Sequence, residues 1–572
     1  MLVSTALVTG TAIVPLLSLL AARGLGFHLC GNSLFSIFAF PPFPANPAAL
    51  LRCCCRRFTL SLAKMLCAAL AALGALRLAS ASFAAGAPRY YPVFGGNRAV
   101  SLLDGEWDYD FVDGWDSGFD SMSPTFKPSD ATLSKKTAVP SCSDVVAGGA
   151  PGYLGPRGVA MYRTGFDTLN SRSGGALPVR LQFQSCSFYC RIWVNGEEVQ
   201  PPQPEGLSGP GHRGGGYVAF FVDVPAKTLK AGGSNELFVL ADNRFNHTTA
   251  PLHTGGDFWH YGGLTRSVEL HTLQSEGPVL WRAYVLPTGT DFTLPSPVSH
   301  PDSVDITLVL SSAGDAHATD KDGPVEFTVA FDGGKATSMK GTAKDGQVSL
   351  KKVPVPNPTL WSPDSPNLHN VTVTYRGGSV TERFGLRSLG VDKESARVTI
   401  NGKVTKLVGW NHHTQWPVTA ASPTDEQMDA DIALLKKGNA NYVRGAHYPH
   451  DPRMIDRFDE AGILFWSETL GPSVSLENMQ DWDFFVRAHS ASISSCTVHV
   501  SSRSCEESRH QMKFQLQQLE QMLDNAMNHA SILTWGWFNE GPSSEPKACP
   551  AYAANAKYLL RTIMIATYPH SS

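Results

Sequence analysis

Charge is scarce in this sequence. Only 17% of its 572 residues are Asp, Glu, Lys or Arg, and 47 basic against 50 acidic residues leave a formal net charge of −3. No long basic run follows residue 60. Together these argue against nucleic acid as a partner. Cysteine is sparse as well. Five of the 11 fall within the first 67 residues, and the other six are spread over about 490 residues, too few for a disulfide framework. Cys186 and Cys190 would share one face of a strand, which fits buried thiols or one local bridge. There is no Walker loop, dinucleotide fingerprint or zinc spacing. His412 and His413 are adjacent, poor geometry for two ligands on one metal. No cofactor is implied, although Mg2+ or Na+ would be compatible. After residue 81 no run is long and apolar enough to span a bilayer.

At 42%, hydrophobic content suffices for sizeable cores and excludes global disorder. At roughly 100–200 residues per domain, the length suggests three or four domains. The 52 Gly and 39 Pro imply many turns, hence many strands.

Residues 1–81 read as a leader. Lys64-Met65, an apolar stretch from Leu66 to Leu76 and Ala79-Ser80-Ala81 have the order of a signal peptide over 65–81. Met65 reads as the true start, with residues 1–64 an extension of the frame. The alternatives are a real long leader, or a membrane anchor built from Leu2–Ala22. A signal peptide implies secretion, or delivery to a lysosome or vacuole, with membrane contact only through an uncleaved leader. The sequons at Asn246 and Asn370 suit that route.

Three textures follow. Residues 82–275 hold short alternating apolar runs between Gly, Pro and Asp clusters, such as Val179–Phe183 and Phe188–Val194, and Asn195-Gly196 marks a hairpin. A sandwich or jelly roll is expected. Residues 276–392 repeat that texture at smaller scale, as in Val304–Leu310 and Val371–Tyr375, which suits an immunoglobulin-like sandwich. From 393 to 572 strands and helices alternate. The strands are Leu407–Trp410, Asn441–Arg444, Ile463–Trp466 and Ile532–Phe538. The helices begin after Thr424, or span Pro452–Ala461, His510–Ala530 and Ala551–Ala566. Met428, Ile432, Leu435 and Leu434 are candidates for the first helix's apolar face. Four such units make the opening half of a (β/α)8 TIM barrel, whose chemistry sits at the C-terminal strand ends. Residues 489–509 break the pattern and read as an insertion or retained non-coding sequence.

Each of the four strands ends in polar residues. They are Asn411, His412 and His413, then Arg444 and His447, then Glu468, then Asn539 and Glu540. A barrel core alone demands nothing polar there. Trp535, Trp537 and Phe538 beside Glu540 would raise a carboxyl pKa, as a general acid needs, and could stack on a sugar ring.

Several stretches carry a resemblance: Leu103-Asp104-Gly105-Glu106-Trp107, Asp257-Phe258-Trp259-His260-Tyr261-Gly262-Gly263, Leu360-Trp361-Ser362-Pro363, Asn441 to Pro449, and Asn528-His529-Ala530-Ser531-Ile532 followed by Asn539-Glu540. In this order they resemble glycoside hydrolase family 2, the β-galactosidase/β-glucuronidase type. The resemblance implies a jelly roll, an immunoglobulin-like domain and a catalytic barrel that hydrolyses terminal β-linked sugars with retention. Glu540 matches the acid/base and Asn539 the residue bonding the sugar 2-OH. His413 and His447 match pocket histidines, Asn411 and Arg444 match polar lining, and Glu468 matches an acidic strand end that would pair with Arg444.

Two departures stand out. Asn411-His412-His413-Thr414 replaces the family's Asn-Arg-His-Glu, so different subsite electrostatics are expected. The family's nucleophile belongs to a seventh strand, beyond the fourth, so the chain as written is expected to be inactive. A β-galactoside is the favoured substrate, with β-glucuronide and β-mannoside as alternatives. A non-catalytic carbohydrate-binding protein is the reading of another class. The expected partner is a carbohydrate, and a homo-oligomer is compatible with the sequence.

Overall fold

The computed structural model describes residues 91–114, 117–148, 155–170, 174–201, 211, 216–244, 258–273, 278–288, 300–311, 323–469, 517–536 and 539. All lie in the compact unit Ala84–Ser572. The leader, the segment 489–509, the helix expected at Ala551–Ala566, Asn246 and Glu540 fall outside the described residues.

The first region is a sandwich of two antiparallel sheets. One has six strands in the order Lys135–Val139, Gly105–Asp113, Gly158–Asp167, Ser234–Asp242, Tyr189–Val194, Glu197–Val199. The other has four, in the order Arg98–Leu102, Val268–Leu273, Val179–Phe183, Phe220–Val224. Alternation places Trp107, Tyr162, Ile192 and Val194 of one sheet against Leu181, Phe183 and Val222 of the other in one core. The hairpin turn is where the sequence puts it. Asn195 (φ 51°) and Gly196 (φ 83°) join Tyr189–Val194 to Glu197–Val199. Cys186 and Cys190 form the local bridge, both buried.

The second region pairs a three-stranded sheet (Val279–Pro287, Ser303–Ser311, Gln347–Pro354) with a five-stranded one. Their facing side chains, among them Ile306, Leu308, Val329, Val348 and Val373, make a second core. Val93–Gly96, in the segment read as part of the first sandwich, instead pairs with Gly378–Phe384 at this sheet's edge. The sequon at Asn370 lies within the strand His369–Tyr375, with its Oδ1 shielded from solvent.

The outer face of the four-stranded sheet is polar yet buried. Arg98 and Arg180 project from it and lie 3.8 and 4.0 Å over the Trp281 ring of the second sandwich. Arg180 pairs with Asp223 at 2.7 Å, and Arg98 bonds His271. Burial, then the Arg98 charge, lowers the His271 imidazole to about 4. This seam joins the sandwiches through buried, paired polar groups, although Arg180 Nη1 has no hydrogen-bond partner there.

The third region is a parallel sheet in the order Gly409–His412, Tyr442–Gly445, Leu464–Glu468, Ile532–Gly536. The first strand starts two residues later than expected. Its helices are written in their caps. Thr424 and Gln427 close a capping box before Asp425–Lys437, whose first turn is acidic and last turn basic. Asp451 caps Pro452–Ala461, Pro452 opens it, and Gly462 in the left-handed region (φ 67°) ends it. Met428 and Leu435 are buried and Ile432 packs beside them, but Leu434 is 60% exposed and leaves the apolar face. The third helix is described over 517–526, with Leu519 and Leu523 buried as expected.

Candidate active site

Register decides which strand-end residues share a face. In this parallel sheet Asn411 lies opposite Arg444, and Arg444 opposite Trp466. Side chains alternate along a strand, so His412 points the other way, toward the helices. There it contacts Asp431 at 3.1 Å and His450 at 3.0 Å. The expected change in subsite electrostatics at position 412 is therefore corrected, because that side chain does not face the strand-end cluster. Thr414 is buried, 5% exposed.

Arg444 organises the cluster. Its Nε and Nη2 each donate to Glu468 at 3.0 Å, a bidentate pair. Nη2 also donates to Asn539 Oδ1 at 2.7 Å. His447 Nδ1 lies 3.0 Å from Glu468 Oε1. Glu468 has no solvent exposure. Its expected pairing with Arg444 is present, and with no exposed surface it orients Arg444 and His447 rather than offering a face to a ligand. With Oδ1 engaged, the Asn539 amide presents Nδ2 as donor. Asn411 is exposed on the adjacent strand.

His413 sits above this group, its ring 5.4 Å from His447 and 5.8 Å from Tyr448, with Tyr448 Oη 3.4 Å from His413 Nδ1. The first sandwich supplies the opposite wall. Phe258 lies 4.9 Å from His413 and 5.5 Å from His447, and Tyr217 stacks on Tyr448 at 4.4 Å. Phe258, Tyr217 and Tyr448 were not singled out from the sequence as site residues. Two of them lie inside quoted motifs, and Tyr217 carries no local signal.

Buried supports hold this wall. Asp144 accepts from the Trp259 indole at 2.9 Å and from Gly262 N at 3.0 Å, and burial raises its carboxyl to about 6. Arg266 reaches across to donate to Pro449 O at 2.7 Å. Burial would raise the Asp451 carboxyl, but the Arg453 and Arg266 guanidiniums outweigh it and hold it at about 2.

Away from this cluster, Asp456, Asp459 and His529 converge, with ligand-type atoms within 4.8 Å of one another. Asp456 pairs with Arg383 at 2.6 Å and Asp459 with His529 at 2.7 Å. The charges are already matched, so the group is an ion-pair network.

These features sit on sequence that matches known families. Residues 391–564 match the model described as "Glycosyl hydrolases family 2, TIM barrel domain", and residues 296–387 match "Glycosyl hydrolases family 2". A β-galactosidase of Thermoanaerobacter pseudethanolicus is 26% identical over 323 residues, covering 55% of this chain and 40% of its own. A β-glucuronidase of Bacteroides fragilis is 28% identical over 372 residues, covering 63% and 47%. The solved structure of a family 2 β-galacturonidase from Eisenbergiella tayi, bound to galacturonate, superposes with TM-score 0.59 at 20% identity, over 83% of this chain and 70% of that one. That likeness is one of fold.

The class is thus that of the glycoside hydrolases with a TIM-barrel domain. Over these two stretches the chain belongs to glycoside hydrolase family 2. It spans about a third to a half of the length of the curated relatives it matches.

Proposed function

We propose that this chain carries the sugar-binding and acid/base half of a retaining exo-β-glycosidase site, at the strand ends of its barrel domain. The observation that carries the reading is the relay Glu468–Arg444–Asn539. A fully buried carboxylate fixes a guanidinium, which holds the Asn539 amide by its Oδ1 and lies beside His447, whose ring, with that of His413, contacts Phe258. Such a set suits a polar ligand with one flat face, as a pyranose has. Asn539 would bond the sugar 2-OH. Glu540, the next residue, would protonate the glycosidic oxygen and later deprotonate water.

The architecture proposed around it is a jelly roll, an immunoglobulin-like sandwich and a TIM barrel. No cofactor is part of the proposal. Residues 65–81 would direct the chain into the secretory route, outward or to a lysosome or vacuole.

A neutral sugar of galactose configuration is the favoured ligand. Among the described strand-end residues the guanidinium is that of Arg444, and Glu468 already neutralises it. No surplus cation there faces a uronate carboxylate.

The test is a thermal-shift panel on the whole chain with galactose-, glucuronic acid- and mannose-configured iminosugars. At a hundred times Kd a ligand stabilises by about 2.7 kcal/mol, and the galactose form is expected to give the largest rise. A larger rise with the glucuronic form would reassign the substrate. No rise with any of the three would end the sugar-site reading.

A further inference from the structure

The donor count at one nitrogen fixes the state of a neighbouring ring. Arg444 Nη2 carries two N–H groups. One goes to the Glu468 carboxylate, whose oxygens lie 2.8 and 3.0 Å away. The other goes to Asn539 Oδ1 at 2.7 Å. His447 Nδ1 lies 3.3 Å from the same Nη2, but no proton is left to reach it. Its nearer neighbour is Glu468 Oε1 at 3.0 Å. A carboxylate paired with a guanidinium accepts and does not donate. Nδ1 therefore holds a proton and donates it to Glu468. As a neutral ring, His447 then has a bare Nε2, which is an acceptor.

That nitrogen is available to a ligand. Nε2 makes no hydrogen bond to any described residue, and His447 keeps 8% of its surface exposed. The rings of Phe258 and His413 flank it at 5.5 and 5.4 Å. Asn539 is half-buried, and with Oδ1 engaged its Nδ2 remains as a donor. Arg444 Nη2 reaches both residues, so an acceptor and a donor stand side by side beyond the second and fourth strands.

We propose that Glu468 is a positioning residue that sets the tautomer of His447, so that this ring reads one sugar hydroxyl as an acceptor and determines specificity. The proposal rests on the sugar-site reading and narrows it. The ligand position facing Nε2 must carry an O–H. A carboxylate or a deoxygenated carbon there leaves the lone pair without a donor. A neighbouring hydroxyl accepts from Asn539 Nδ2. The pair therefore selects two neighbouring hydroxyls over an anionic group.

Glu468→Gln separates this role from packing. Glutamine keeps the shape of the side chain. Arg444 Nε and Nη2 both lie against the Oε2 position, at 3.0 and 2.8 Å, so the amide oxygen belongs there. The amide NH2 then faces His447 Nδ1, which must accept. The ring proton moves to Nε2, and His447 changes from acceptor to donor. A role limited to packing would leave the tautomer as it was.

Two measurements test this. The first is nitrogen NMR of the whole chain carrying isotope-labelled histidine, at about pH 8, where an ordinary imidazole is neutral. His447→Phe assigns the signals, and His447→Leu serves should that variant fail to fold. The parent should show a protonated Nδ1 and a bare Nε2, and Glu468→Gln the reverse. A proton on Nε2 in the parent would overturn the proposal, whether or not the Gln variant folds. The second is calorimetric titration of the galactose-configured iminosugar and its monodeoxy forms into the parent and the same His447 variant. One deoxy form should bind the parent about tenfold more weakly. In the variant that form should lose nothing further, because both changes remove one hydrogen bond. Additive losses for every deoxy form would overturn the acceptor role and leave the sugar-site reading standing. No binding of the iminosugar to the parent would end that reading and the specificity role with it.

Discussion

Arg444→Ala is expected to lower the unfolding free energy by about 3–5 kcal/mol. The effect comes from what is left behind. Glu468 has no exposure, and its two oxygens are held by Arg444 and His447. Removing the guanidinium strands a carboxylate in a site it cannot leave. Isolated in the interior, such a charge costs far more than the pair gained by forming. Replacing Arg444 and Glu468 together by Met should be milder than Arg444→Ala alone, since neither charge then remains. Urea unfolding of the three proteins measures this. A loss below about 1 kcal/mol for Arg444→Ala, the range of exposed pairs, would show that Glu468 is hydrated.

Trp361→Ala is the second large effect, expected at about 3–5 kcal/mol. Its indole is fully buried where the second sandwich meets the barrel, packed with Ile400, Leu464 and Ala530. Nε1 donates to Asp459 O at 2.8 Å. Close packing shows at Gly385, where an added Cβ would lie 2.6 Å from Ala530 and 2.8 Å from Trp361. Alanine therefore opens a cavity that backbone on both sides cannot fill, and it orphans a buried carbonyl. Trp361→Phe keeps most of the volume and should cost about 1 kcal/mol, the net worth of the hydrogen bond. Calorimetric midpoints rank the two. Equal effects would mean that the hydrogen bond, rather than the packed volume, carries the site.

Much of this arrangement was legible in the sequence where local chemistry is strong. Thr424 with Gln427, Asp451-Pro452 and Gly462 announce helix ends. Asn195-Gly196 announces its turn. Edge strands were less legible. Lys135–Val139 and Thr337–Ala343 are polar because one side of each pairs with nothing, so they lack the apolar alternation of inner strands. Val93–Gly96 reads as a neighbour of Arg98–Leu102, and only tertiary packing sends it to another sheet.

The site divides in the same way. Period-two alternation separates His412 from Asn411, but a strand's start must be known to the residue before faces can be assigned. A shift of two residues at Gly409 was harmless, whereas a shift of one would have exchanged the two. The role of Glu468 was hidden because burial is a property of the fold. Phe258 and Tyr217 were hidden because they reach the barrel from another domain, about 150 or more residues away in sequence. The same distance concealed the meaning of Asn528, whose partners are Ala283 and Val285.

The most direct test of the sugar-site account is calorimetric titration of the galactose-configured iminosugar into the whole chain and into Asn539→Ala. The variant removes the amide that Arg444 orients and leaves the Glu468–Arg444 pair in place. The account predicts saturable binding to the parent chain and at least about tenfold weaker binding to the variant, a difference of about 1.4 kcal/mol. Equal affinity for the two proteins, or no binding to the parent, would contradict it.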